Sequence, residues 1–310
     1  MAPKRKKKGS VEKKKIKLRT LALGFLVGGG ALFICLSLFL LSGPCSKEIA
    51  HEESFPRAVH KKNQTAQGDR EIRNPCRKEA EPALTGKGSE SLPRVAIIID
   101  DVGFDVELAR SFQELHSPLS LSVLPTAPHS QAIAREAMGK GVEVLLHLPM
   151  EPKENSDDSA GSGTLLDKMG EEEFLETLNT HLSKIPGIKG VNNHMGSLLS
   201  EREEKMVLIF GELKRRRLFY VDSRTTPQTV ACRVAREMKV PVASRSVFLD
   251  HELSQEAMKV QWDRCLAMAR QQGHAVMIAH PHRETLVFLR EHLRDLKLKV
   301  RLVRVADIVS

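Results

Sequence analysis

Aromatic side chains are scarce in this chain, with one Trp, one Tyr and 11 Phe among 310 residues. Nucleic-acid readers combine basic patches with aromatic stacking platforms, so the scarcity argues against that class and also against tight stacking of sugars. Cysteine is sparse as well. The five thiols, at positions 35, 45, 76, 232 and 265, show neither C-x-x-C nor zinc-knuckle spacing. No G-x-G-x-x-G and no Walker loop occurs, so the usual nucleotide cradles are absent. Excess charge is missing where it would matter. Residues 1–20 hold ten Lys/Arg and one Glu, which accounts for the whole net charge of +9, and the other 290 residues carry 38 basic and 38 acidic groups. The folded part is neutral, and no nucleic-acid partner is expected.

Behind the basic tail (1–20) stands Leu21–Leu41, 21 residues without a charge, long enough to cross a bilayer as a helix. A transmembrane anchor at 21–42 is expected, with a cleaved signal peptide as the rival, although the apolar core of such a peptide is shorter. Basic residues stay cytoplasmic, so the C-terminal part is expected beyond the inner (cytoplasmic) membrane, periplasmic or extracytoplasmic. Residues 43–92 are polar and show no period, which reads as a flexible linker. A Cys45–Cys76 bridge is conceivable there in an oxidising compartment, while Cys232 and Cys265 read as buried free thiols in helical patterns.

From Arg94 the texture changes to short apolar runs alternating with amphipathic stretches, the pattern of β/α units around a parallel sheet. Strands are expected at "VAIII", "LSLSVL", "VEVLLHL", "IKGVNN", "LFYVD", "VPVAS", "AVMIA" and "LKVRLV". Helices are expected at Val106–Leu115, Ser130–Gly139, Glu171–Ile185, Glu201–Arg216, Thr229–Met238, Ser254–Gln272 and Glu284–Leu296. Residues 93–310 thus predict an α/β domain, a (β/α) barrel with some irregularity, with an open doubly wound sheet as the alternative.

Residues with catalytic potential gather at the C-terminal ends of these strands: Asp100 and Asp101, His147, Asn193 and His194, Asp222 and Arg224, His280 and His282. In a barrel those ends converge on one mouth. Two adjacent carboxylates in a dry cleft need a cation or a proton between them. A divalent metal would answer that need, and His147 and His194 offer the imidazole nitrogens that zinc favours. Capping of the next helix is the bland alternative for the aspartate pair, but Asp105 is better placed for it. Asp250 and His251 lie near the same mouth with weaker claims, and His129 and His274 read as structural.

The set "IIIDDVG", "LLHLPMEP", "VNNHMGS", "VDSRTT" and "IAHPH", in this order and spacing, resembles the divergent polysaccharide deacetylase family. The resemblance covers about Pro93 to Ser310. It implies a distorted (β/α) barrel and metal-dependent removal of acetyl groups from N-acetylated sugars of a cell-envelope or extracellular glycan. It further implies Asp100 as general base, Asp101 and His147 as metal ligands, and His280 as general acid. In the wider superfamily a second histidine follows four residues after the first. Here that position is Glu151, so the remaining ligand is His194, a carboxylate, or lost. Glu151, Asn193, Asp222, Arg224 and His282 are expected behind the ligands or facing substrate. A non-catalytic envelope protein that binds a glycan or a protein partner in the same cleft is the competing expectation.

Overall fold

A computed structural model describes Cys76 and residues 92–309, apart from 116, 155–162, 295 and 297–299. The basic tail, the expected membrane span and nearly all of the linker lie outside the described residues. Among the described residues no helix is long and apolar enough to cross a membrane.

The elements alternate along the chain: β1 (Arg94–Val102), α1 (Val106–Gln113), β2 (Ser120–Val123), α2 (Ser130–Gly139), β3 (Glu143–Met150), α3 (Glu171–Lys184), β4 (Gly190–Met195), α4 (Glu203–Arg216), β5 (Phe219–Asp222), α5 (Ala231–Glu237), β6 (Val242–Ser244), β7 (Val247–Phe248), α6 (Gln255–Gln272), β8 (His274–Ala279), α7 (Arg283–His292) and β9 (Arg301–Leu302). All recorded strand pairs are parallel, in the order β6-β5-β4-β3-β2-β1-β8-β7, with β9 added beside β1. This is the cyclic order of a (β/α) barrel interrupted between β6 and β7. A doubly wound sheet would reverse its order at a switch point, and none exists here.

The interruption has a simple cause. β6 and β7 are one run of chain that changes partner, pairing first with β5 and then with β8. Arg245 N donates to Asp222 O and Ser246 N to Val276 O, so the two linking residues reach across the seam.

Side chains along a strand alternate between faces, and here the alternation fills two cores. Ala96, Ile98, Leu145, Val221, Val276 and Ile278 line the inside of the curl. Val95, Ile97, Ile99, Val144, Leu146, Tyr220 and Met277 face the helices. Continued upward, the inner set reaches Asp100, His147, Asn192 and residue 280, which puts polar side chains where the apolar filling ends.

Several expected bounds shift. The last strand contracts to Arg301–Leu302, α7 ends at His292, and Glu201 belongs to a short 3-10 turn before α4. Cys232 is not a free thiol. It forms a disulfide with Cys76, so the described structure pairs Cys76 with α5 and not with Cys45. Cys265 is free and buried, as expected.

Candidate metal and catalytic centre

Adjacent residues on a regular strand point to opposite faces, yet Asp100 and Asp101 both reach the mouth. The register of β1 against β2 slips between Ile99 and Val102, and Asp101 adopts a left-handed φ of 54°. Such a bulge at a strand end re-aims a side chain at some backbone cost. Gly103 makes the turn possible. Its φ is 148°, and a Cβ there would stand 2.5 Å from that of Ala127. Asp105, not the aspartate pair, caps α1 by accepting from Leu108 N at 2.9 Å.

Three ligand-type atoms converge: Asp101 Oδ1, His147 Nε2 and His194 Nδ1. The carboxylate oxygen lies 3.1 Å from His147 Nε2 and 2.9 Å from His194 Nδ1, and the two nitrogens are 3.2 Å apart. For zinc ligands at about 2.0–2.1 Å the edge of the tetrahedron is about 3.3 Å, so these separations suit one shared ion. Asp101 Oδ1 is buried with no properly formed hydrogen bond, an orphaned anion that a cation would satisfy. The donor set therefore fits a divalent metal.

The surroundings orient these groups. Asn192 donates to both oxygens of Asp100, at 2.8 and 3.0 Å. Its own oxygen accepts from the Ser122 hydroxyl and meets His147 Nδ1 at 3.0 Å. That contact puts the His147 proton on Nδ1 and frees Nε2 to bind a metal. Asp100 is buried, and burial lifts its pKa above the usual carboxylate value, with His147, His280 and Asn192 offsetting only part of the rise. For Asp101 burial also acts upward, but its two imidazole partners prevail and hold it far below that range.

Across the mouth, His280 Nδ1 lies 2.9 Å from Asp250 Oδ1, while Asp250 Oδ2 accepts from His280 N at 2.6 Å and Thr285 Oγ1 at 2.7 Å. Asp250, His280 and His282 also cluster closely enough to hold an ion. Both Asp250 oxygens are already engaged, however, and His282 is exposed. This trio reads as an oriented histidine, and the orphaned oxygen distinguishes the Asp101 site from it. Burial opposes a charge on His280, but the Asp250 hydrogen bond and charge, with Asp100 and Asp101, raise its pKa to about 9.

The remaining expected residues divide. Glu151 is turned away from the cluster, accepting from Asp167 N at 2.5 Å, and it is His194 of β4 that stands beside Asp101 and His147. Asn193 faces outward and brackets strand ends, accepting from Tyr220 Oη and Ser223 N. Asp222 also lies on the helix side. It accepts from Arg224 N and Thr229 Oγ1 and touches neither Asp100 nor His280. Arg224 makes no ion pair with it. Asn192 and Ser122 were not anticipated, and Asp250 was underrated. Alternation with His194 on β4 was the available signal for Asn192.

The family model described as divergent polysaccharide deacetylase matches residues 97–309. YibQ of Escherichia coli (strain K12) is 32% identical over 229 residues, covering 74% of this chain and 69% of that protein. A Haemophilus influenzae (strain ATCC 51907 / DSM 11121 / KW20 / Rd) protein is 30% identical over 226 residues, covering 73% and 80%. The crystal structure of ATU2773 from Agrobacterium tumefaciens C58 superposes with a TM-score of 0.68 at 21% identity, over 72% of this chain and 91% of that one.

Proposed function

The chain belongs to the divergent polysaccharide deacetylase family, and on that premise we propose that it is a metal-dependent hydrolase removing acetyl groups from N-acetylated sugars of a cell-envelope or extracellular glycan. The observation that carries this reading is the convergence of Asp101, His147 and His194 on one orphaned carboxylate oxygen. These three residues would hold the ion, and their nitrogen-rich set favours zinc. A divalent ion there supplies Lewis acidity toward an acetamide carbonyl.

The chain's own residues do the rest. Asp100, fixed by Asn192 in a dry position with a raised pKa, accepts the proton of the attacking water. His280, kept protonated by Asp250, gives a proton to the departing amine nitrogen. Carbon–nitrogen cleavage needs that proton, because an unprotonated amide nitrogen leaves poorly. General acid and base contributions of this kind are each worth on the order of 100- to 10,000-fold.

The same reading puts the barrel outside the inner membrane on a single N-terminal helix. The apolar run Leu21–Leu41 behind a basic tail supports it, and so does the Cys76–Cys232 disulfide, since such bonds persist in oxidising compartments.

Metal analysis of the purified chain, together with acetate release from N-acetylated oligosaccharides, tests the proposal. One divalent ion per chain is expected, lost in Asp101→Ala and His147→Ala along with acetate release. A chain that binds no ion and releases no acetate with metal added would leave the cleft as a binding site for a glycan or protein partner.

A further inference from the structure

Two guanidinium groups at the rim form no ion pair among the described residues. Arg224 follows the end of β5 by two residues, and Arg245 sits in the link between β6 and β7. Arg245 donates from Nε to Ser223 O at 2.7 Å and from Nη2 to Arg224 O at 3.0 Å, which clamps its cation against the Arg224 backbone. Among the described residues neither guanidinium has a carboxylate within ion-pair distance. Asp222, the nearest acid in sequence, is taken by the Arg224 backbone N–H and by Thr229.

The backbone and the charges around the pair are both unusual. Arg224 has a left-handed φ of 50°, unfavourable for a residue with a side chain. Burial, and then the Arg224 charge, pull the Arg245 pKa down to about 10, and the more distant Asp222 and Asp100 offset only part of that fall. The pair is also close to the chemistry. The Arg245 guanidinium lies 3.7 Å over the Phe248 ring, whose centroid is 5.8 Å from that of His280.

Neighbouring guanidinium forks with unused N–H groups are suited to gripping an oxyanion through several hydrogen bonds. We propose that Arg224 and Arg245 form a subsite for an anionic substituent of the sugar, a carboxylate or a phosphate group, beside the acetamide to be cleaved. The proposal rests on the hydrolase reading for its substrate, but its binding chemistry is measured separately.

The test is calorimetric titration of the full, metal-loaded chain with three sugars: N-acetylglucosamine, N-acetylmuramic acid and N-acetylglucosamine 6-phosphate. At least one anionic sugar is expected to bind at least about tenfold tighter than the neutral one. Which anion gains identifies the group recognised. Arg224→Gln, which removes a side chain with no hydrogen bond or ion pair among the described residues, is expected to erase the preference, and Arg245→Lys, which keeps charge but not the fork, to reduce it. Equal affinities, no binding of any sugar, or a preference that survives Arg224→Gln overturns the subsite. Acetate release is followed in parallel. An Arg224-dependent preference without acetate release would sink hydrolysis and leave the subsite standing, and acetate release without preference would do the reverse.

Discussion

Asn192 holds Asp100 by both carboxylate oxygens while its own oxygen faces His147 Nδ1, so one amide fixes the proposed base and a proposed ligand together. Partners behind a metal ligand are worth about 10- to 100-fold in metal affinity or activity. Asn192→Ala is expected to lose that much in both, read by competition with a chelator and by acetate release. Equal loss in each would be the mark of a residue serving two groups. An effect on acetate release alone would confine Asn192 to Asp100.

Glu151 occupies the sequence position of the missing histidine, but His194 occupies the space. Glu151→Gln is therefore expected to keep its metal, while His194→Ala loses it. Direct metal quantification after gel filtration distinguishes them, and metal loss in Glu151→Gln with retention in His194→Ala would invert the assignment.

His280 is raised to about 9, so it is protonated through neutral pH and loses its proton as pH rises through about 9. Acetate release should hold on the alkaline side up to that value and fall above it. Asp250→Asn removes the charge that raises His280 and should move the alkaline limb toward the ordinary imidazole value of about 6.5. The same sign governs stability. The Asp250–His280 interaction contributes fully below the ordinary value and fades as pH rises through about 9. A pH–rate profile unmoved by Asp250→Asn would assign the limb to another group.

The Cys76–Cys232 disulfide closes a loop with a sequence separation of 156 residues. Bonds of this kind stabilise by about 2–4 kcal/mol, chiefly through the unfolded chain. Cys232→Ser should lower stability by that order in denaturant unfolding, and non-reducing peptide mapping should recover the 76–232 pair. Cys265, buried with its thiol pushed up to about 12, should resist alkylation in the native state. A mapped 45–76 pair would contradict the structure.

Much of the fold was legible because apolar runs and Gly or Pro punctuation mark strands and helices locally. Ser130–Gly139 and the end of β8 at Ala279 needed nothing more. β7 escaped because two residues, Val247 and Phe248, are too few to show a period. Asp250 earned only a weak claim because its partner is 30 residues away and meets it only when β7 lies beside β8. The neighbours Asn192 and Asn193 look alike in sequence, and only strand alternation separates the one facing the site from the one bracketing strand ends. Glu151 left the last candidate ligand open, since sequence spacing cannot tell that His194 on the adjacent strand stands beside Asp101 and His147. The Cys232 pairing had no local signal at all.

Cys232 stands at the start of α5, with its sulfur 4.0 Å from Asp222 Oδ2 at the end of β5. Residue 76 is therefore fastened at the mouth end of the wall, whereas the same chain enters the sheet at Arg94, at the opposite end. The disulfide thus works as a leash point. It ties residue 76 to the wall that carries Asp222, and a reductant would undo that tie without altering any residue of the site.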